Sequence, residues 1–516
     1  MPRSQTKAVR ASSFPLIILV VVLAGSAPVE AASLRAGAAA CNITKDQPSP
    51  AVHDPLRARA LFLDDGKTQV LLVSVDLIQA SGGLVASLRG RVEKELNVDG
   101  KHVLVCASHN HHTQGQVAGD LVERIVTAAR QAADRMVAVK IGAGTGQEAG
   151  ITMNRRLRLE DGKVWTIRRA NPSPHDDRVA AVGPIDPEIG ILRLDRLDGH
   201  PMAVLFNFAG HAYGGVPGGG VTADFPGFAA AVLEDALGHG AVALFVQGAS
   251  GDVTPVRYKD VDAPPPTEQL GTMLGLSTLR AAREIATEEG GTIELLSETL
   301  ELPRRRDLPE RIESLEAQQE EILQFFTGVG CGTHGAGTSL NFKTFLPLYL
   351  KHLADPDHPA YASYLYKQEE LFGRDDLVHL DAENKQRLEK YLQCIDHMER
   401  LIRVRSNLQA LKRRLEKGPT GPITAEVSVL RIGDFLLVTF PGEAFAEIGL
   451  DIKRQSPFEH TFLAGYCNGS VGYAPTADAY DDEAYEDVLA QLAPEWQAIY
   501  EAKVLDMLRR LHEKPD

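Results

Sequence analysis

Residues 70–77 read VLLVSVDL, an apolar run of strand length rich in β-branched side chains. Residues 84–96 behind it repeat their apolar positions at helical spacing. A strand that is apolar at successive positions has two faces to cover, so it belongs to a sheet buried on both sides within a layered α/β domain. Outward from this stretch, residues 102–106 read as a strand, 117–136 as a helix and 137–141 as a strand. Residues 202–208, 241–247 and 292–302 read as further strands, with helices over 225–237 and 267–287. Residues 423–440 predict a hairpin turning at Gly433-Asp434, followed by a helix over 443–453, a strand over 461–465 and mainly helix over 482–511.

Residues 308–418 differ. Leu308, Ile312, Leu315 and Ile322, and later Leu388, Leu392, Ile395, Leu401, Leu408, Leu411 and Leu415, follow three-and-four spacing among many charges. Pro303, Pro309, Pro419 and Pro422 bracket the block, and a glycine-rich stretch over 328–337 interrupts it. The fold class expected is therefore α/β: a layered mixed β-sheet domain with flanking helices and an inserted helical arm. The main domain spans residues 32–302 and 423–516, with the arm over 303–422.

Residues 1–31 predict an export signal. Arg3, Lys7 and Arg10 precede an apolar run over 14–23, too short to cross a membrane, and Val29-Glu30-Ala31 supplies small residues at the two positions a signal peptidase reads. The expected location is secreted or periplasmic, after cleavage near Ala31. The formal net charge of −15 argues against a nucleic-acid partner, since polyanion binding draws on a concentrated basic face. The five cysteines are too scattered for a disulfide-built scaffold.

The chemistry gathers where strands end. Residues 102–106 run into Ser108-His109-Asn110-His111-His112, residues 202–208 into Gly210-His211, and residues 241–247 into Ser250-Gly251-Asp252-Val253-Thr254-Pro255. Two more strand ends bring Pro441-Gly442-Glu443 and Tyr466-Cys467-Asn468. Ligands of open α/β sheets bind beyond such carboxyl ends. His109 and His111 stand two apart in extended chain and address one side, and neutral imidazole is a common zinc ligand. Each feature also has a plain reading: a solvated histidine turn, a hydrogen-bonded His211, and Glu443 as an acid in the first turn of a helix. Ser250-Gly251-Asp252 lacks the glycines of an esterase nucleophile elbow.

Taken together and in order, these segments resemble the catalytic domain of the neutral ceramidases, zinc amidases that split the N-acyl bond of ceramide. Residues 107–112 resemble that family's Thr-His-Thr-His-Ser-Gly, residues 207–211 its Asn-Phe-Ala-x-His, residues 251–255 its Gly-Asp-Val-Ser-Pro, and residues 441–443 its Pro-Gly-Glu. Gly472-Tyr473, followed twelve residues later by Tyr485-Glu486, is similar to its Gly-Tyr and Tyr-Glu pair, and Asn154-Arg155 to an Asn-Arg pair. The resemblance implies Zn2+ held by His109, His211, Glu443 and Tyr473. It also implies that His111, Tyr485, Arg155, Asp252 and Thr254 line the reaction centre.

Thr254 stands where the family has serine, which keeps a hydroxyl but crowds it and weakens the case for a covalent route. The family's immunoglobulin-like C-terminal domain has no counterpart after the tyrosine motif. The expected function is cleavage of an N-acyl amide by a zinc-activated water, on a small-molecule or lipid substrate. A lipid substrate would bring peripheral membrane contact, and the helical arm offers a surface for protein contacts. Two rivals share these residues: a metal-dependent ester or phosphoester hydrolase, and a secreted binding protein with a vestigial metal site.

Overall fold

The computed structural model describes residue 1 and residues 33–514, apart from 168–173, 175, 256–266, 330–345, 348, 351–352, 354–370, 374–375, 419 and 483. The export signal expected over residues 1–31, and most of the glycine-rich stretch within the arm, lie outside the described residues. Residues 33–516 form one compact unit.

Two sheets make its centre. In chain order the principal strands are β1 (Arg35–Asn42), β2 (Arg57–Asp64), β3 (Gln69–Val75), β4 (Val103–Ala107), β5 (Val137–Gln147), β6 (Glu188–Arg196), β7 (Pro201–Phe208) and β8 (Val242–Gln247). After these come β9 (Ile293–Leu302), β10 (Ile423–Ile432), β11 (Phe435–Thr439) and β12 (His460–Ala464). The larger sheet runs β8-β7-β6-β5-β1-β2-β3-β4, and the smaller runs β9-β10-β11-β12.

Period-two alternation explains how the sheets stack. In β3, Val70 and Leu72 join a core with Leu205 and Leu244 of the larger sheet and Leu430, Phe435 and Phe462 of the smaller. The intervening Leu71 and Val73 face Leu88, Val92, Ile125 and Ala129 of the helices Gly82–Leu96 and Leu121–Asp134. The helices Asp224–Leu237 and Thr267–Glu284 cover the β7–β8 end of the same outer face. Ala446–Gln455 and Trp496–His512 cover the outer face of the smaller sheet. The result is helix, sheet, sheet, helix, which is why so many strands carry no polar face.

The larger sheet is mixed, as expected: β3–β4 and β7–β8 pair in parallel on its main path, and the rest is antiparallel. Two other points differ from the sequence reading. β1, β2 and β6, rich in alanine, arginine or alternating charge, lacked the continuous apolar signal and were not anticipated. Glu443 does not open a helix. Glu443–Ala444 is a two-residue strand parallel to Tyr473–Ala474, and the helix begins at Ala446; Pro441-Gly442 keeps the chain extended first.

Between β9 and β10 the chain leaves the sheet and returns to it. Helix Leu308–Val329 and helix Asp376–Lys417 pack through Ile312, Leu408 and Leu411. At the arm's base, Arg414 donates to the carbonyls of Leu489 and Ala490 at 2.7 and 3.2 Å. It thereby satisfies the C-terminal end of the short helix Tyr485–Leu489. No helix among the described residues is long and apolar enough to cross a membrane.

Candidate metal centre

His109 follows β4 in a backbone conformation with φ of +59°, costly for a non-glycine residue and sustained only where surroundings hold it. Two contacts do so. Its Nδ1 lies 2.8 Å from the carbonyl of Ile78, and its ring stacks on Tyr466 with centroids 4.0 Å apart. His211 follows β7, and its Nδ1 reaches the carbonyls of Ser250 at 2.5 Å and Val253 at 3.1 Å. A carbonyl only accepts, so Nδ1 carries the proton in both rings and each Nε2 presents a lone pair.

Those lone pairs converge on Glu443. Its Oε2 lies 3.5 Å from Nε2 of His109 and 3.4 Å from Nε2 of His211. Both Nε2 of His211 and Oε2 of Glu443 are buried without a hydrogen-bond partner. Two electron-rich atoms facing across such a gap repel unless a cation or proton lies between them. Burial, and next the charge of Arg155, hold the His211 imidazole well below its ordinary range, so a proton does not fill that role. Burial alone would raise the Glu443 carboxyl, but its contacts with the His109 and His211 imidazoles hold it well below the usual carboxylate range.

His111 closes the group, with its Nε2 3.1 Å from Nε2 of His109. Nitrogens of His109, His111 and His211 lie within 4.8 Å of one another. His111 is the most exposed of the three. The imidazoles of His109 and His211, fixed by backbone carbonyls beside a carboxylate, form a donor set suited to a divalent transition metal, and zinc fits that set.

Tyr473 is brought beside Glu443 by the two-residue parallel ladder. Its hydroxyl accepts from Nη2 of Arg155 at 3.2 Å. The Arg155 guanidinium is buried and also donates to Glu486 at 2.7 Å, to the carbonyl of Gly251 at 2.6 Å and to the hydroxyl of Tyr213 at 3.3 Å. Tyr485 opens its short helix with its ring 5.7 Å from that of Tyr473, and Arg155 lies over both rings. Thr254 is fully buried, with its Oγ1 2.5 Å from the hydroxyl of Tyr213.

Asp252 is placed differently. One carboxylate oxygen accepts from the backbone N–H of Ala446 at 2.8 Å and the other from Asn154 at 2.7 Å. Burial pushes its carboxyl up to about 6. Its oxygens thus tie the Gly251–Pro255 turn to the helix behind Glu443, as an organiser of the loop that presents Gly251 and Thr254.

Three further residues contribute: Tyr466 and Glu486, quoted from the sequence only within longer motifs and given no role, and Tyr213, which was not quoted. Tyr213, two residues beyond His211 in extended chain, places its ring 5.0 Å from His211 and 5.5 Å from His111; that two-residue spacing was the available signal. Tyr466 stacks on His109 from the end of β12. Glu486 is fully buried between Arg155 and Arg156, at 2.7 and 2.9 Å.

The chain shares its fold with bacterial neutral ceramidases. Over 93% of this chain and 75% of the other, it superposes on neutral ceramidase from Pseudomonas aeruginosa with a TM-score of 0.58 at 18% identity. A ceramidase solved in complex with C2 gives a TM-score of 0.59 at the same identity and coverage. No protein-family profile and no curated protein sequence matches the chain.

Proposed function

We propose that this chain is an exported zinc-dependent hydrolase of N-acyl amides, with the metal held by His109, His211, Glu443 and Tyr473. The observation that carries this reading is the facing pair of buried, unpartnered atoms, Nε2 of His211 and Oε2 of Glu443, 3.4 Å apart. The fold shared with ceramidases supports the amide as the scissile group, and the apolar run over residues 14–23 supports export.

When bound there, zinc supplies a Lewis acid that activates water and polarises a carbonyl. The chain's own groups do the rest. His111 stands at the exposed side of the cluster and takes a proton from the attacking water, passing it to the departing nitrogen. The water oxygen bonds to the acyl carbon as the carbon–nitrogen bond breaks, and the amine leaves protonated. The Tyr485 hydroxyl donates to the carbonyl oxygen as charge grows on it. Arg155 positions Tyr473, while Tyr213 and Thr254 form a hydroxyl pair beside the imidazoles. A lipid amide would be drawn from a membrane surface by peripheral contact.

Metal analysis of the purified protein, paired with a panel of amide, ester and phosphodiester substrates, tests the reading. It expects about one zinc per chain, as one ligand set holds, and turnover of the amides. Turnover confined to esters or phosphodiesters would transfer the chemistry to another bond, and bound zinc without any turnover would support a binding protein.

A further inference from the structure

Beneath the arm lies a cavity of about 230 Å³. Two helices give it one face each: Arg311, Ser314, Leu315 and Gln318 on Leu308–Val329, and Arg400, Arg403, Val404 and Asn407 on Asp376–Lys417. Both sets follow three, four and seven spacing, a single stripe of a helix. The opposite wall is the main domain, with Trp165 on one side and Tyr485 on the other. The cavity therefore shares a wall, the Tyr485 side chain, with the candidate metal centre.

Its chemistry is one-sided. Three arginines line it and no aspartate or glutamate does among the described residues, in a chain whose net charge is −15. Two of its donors are buried and unpartnered, Nη1 of Arg311 and the indole Nε1 of Trp165. Both are donor-only groups, so whatever satisfies them must accept, and leaving them unmet is costly. Desolvation, and then the neighbouring Arg305, bring the Arg311 guanidinium down to about 10, against the opposing pull of Asp307 and Asp487. Arg403 lies over the Trp165 ring at 4.5 Å, which fixes its fork in place. The volume is below that of a drug-sized site, so the cavity suits a compact headgroup and not an acyl chain.

We propose that this cavity receives an anionic group of the substrate, so that the preferred amide is an N-acyl amino acid or its sulfonate analogue. The inference rests on the amide-hydrolase reading above and deepens it. Arg311, Arg400 and the Trp165 N–H bind the carboxylate or sulfonate, and Tyr485 marks the passage from this headgroup to the scissile bond. The arm is then a specificity element, closing over the polar end of the substrate.

The test compares N-acylglycine, N-acyltaurine and N-acylethanolamine of one chain length on the metal-loaded full chain. The anionic amides are expected to lead the neutral one in kcat/KM by about tenfold, the 1.4 kcal/mol of one charge-assisted hydrogen bond. The double variant Arg311→Gln, Arg400→Gln should bring that ratio close to one, chiefly through KM. Preference for the glycine conjugate alone specifies carboxylate, and preference for both specifies any compact anion. Equal rates in the native protein overturn the inference and leave the amide reading intact. If no amide is cleaved, that reading fails, and calorimetric titration with octanesulfonate decides the cavity independently. Binding weakened about tenfold in the double variant upholds an anion site; no binding, or binding unchanged by the variant, removes it.

Discussion

Nε2 of His211 and Oε2 of Glu443 face each other at 3.4 Å in the buried interior, from segments more than two hundred residues apart, with no hydrogen bond between them. The His211 ring is held through its Nδ1 by the carbonyls of Ser250 and Val253, and the Glu443 backbone through its N–H by the carbonyl of Gly472 at 2.9 Å. The His211 ring cannot turn away without losing both bonds. Such an unsatisfied pair, beside the grouped imidazoles, could hold a cation.

Gly251 is the tightest constraint on that geometry. A Cβ there would meet the carbonyl carbon of Glu443 at 2.9 Å and the carbonyl oxygen of Ala444 at 3.0 Å, backbone atoms that have no rotamer to change. Gly251→Ala is expected to displace Glu443 and lower zinc content and turnover together, while circular dichroism stays native. Full metal occupancy in this variant would contradict the packing account.

Arg155 is the buried hub that links Glu486, Gly251, Tyr213 and Tyr473. Arg155→Met leaves the fully buried Glu486 with Arg156 as its remaining cation, and breaking one side of a buried pair typically costs about 3–5 kcal/mol. Urea denaturation should show a loss of that order, with Arg155→Lys losing less. A loss below about 1 kcal/mol in Arg155→Met would place it at the value of a surface pair.

Thr254 separates two routes to the same product. Its hydroxyl is buried against Tyr213 at 2.5 Å and ordered as part of a pair. Thr254→Ala is expected to keep a rate within about a thousandfold of the native one, since removal of one positioned hydrogen bond costs about a hundred- to a thousandfold. A fall to the uncatalysed rate would mean that the threonine oxygen itself attacks the substrate.

Much of the fold was legible because burial on both faces leaves a direct trace, as in VLLVSVDL. The strand ends carrying His109, His211 and Glu443 were legible for the same reason, since polar residues directly after such runs stand out. What stayed hidden depended on partners distant in sequence. Glu443 reads locally as the first turn of a helix, and only its pairing with Tyr473 makes it a strand. β1 is half alanine, and its place beside β2 comes from the close approach that small residues allow. The arm's amphipathic stripes announced two helices, but nothing in them told which arginines would face inward, because that is set by the surface they dock on.

Asp76 gives a pH dependence with a definite sign. Burial pushes its carboxyl from the usual 3.8 up to about 6 against the opposing pull of Arg59. Between those values the folded chain holds a proton that the unfolded chain has lost, so unfolding releases it and stability falls as pH rises from about 4 to about 6. Asp76→Asn should flatten that part of the melting-temperature profile. Parallel profiles for the native protein and the variant would show that Asp76 ionises normally.

The most direct test of the metal centre is zinc stoichiometry, by plasma mass spectrometry, of the native chain beside His211→Ala and Glu443→Gln. The native chain is predicted to carry about one zinc, as a single ligand set holds, and each variant to lose most of it while remaining folded. Zinc retained at the native level in both variants would contradict the account, since the facing pair would then hold no metal.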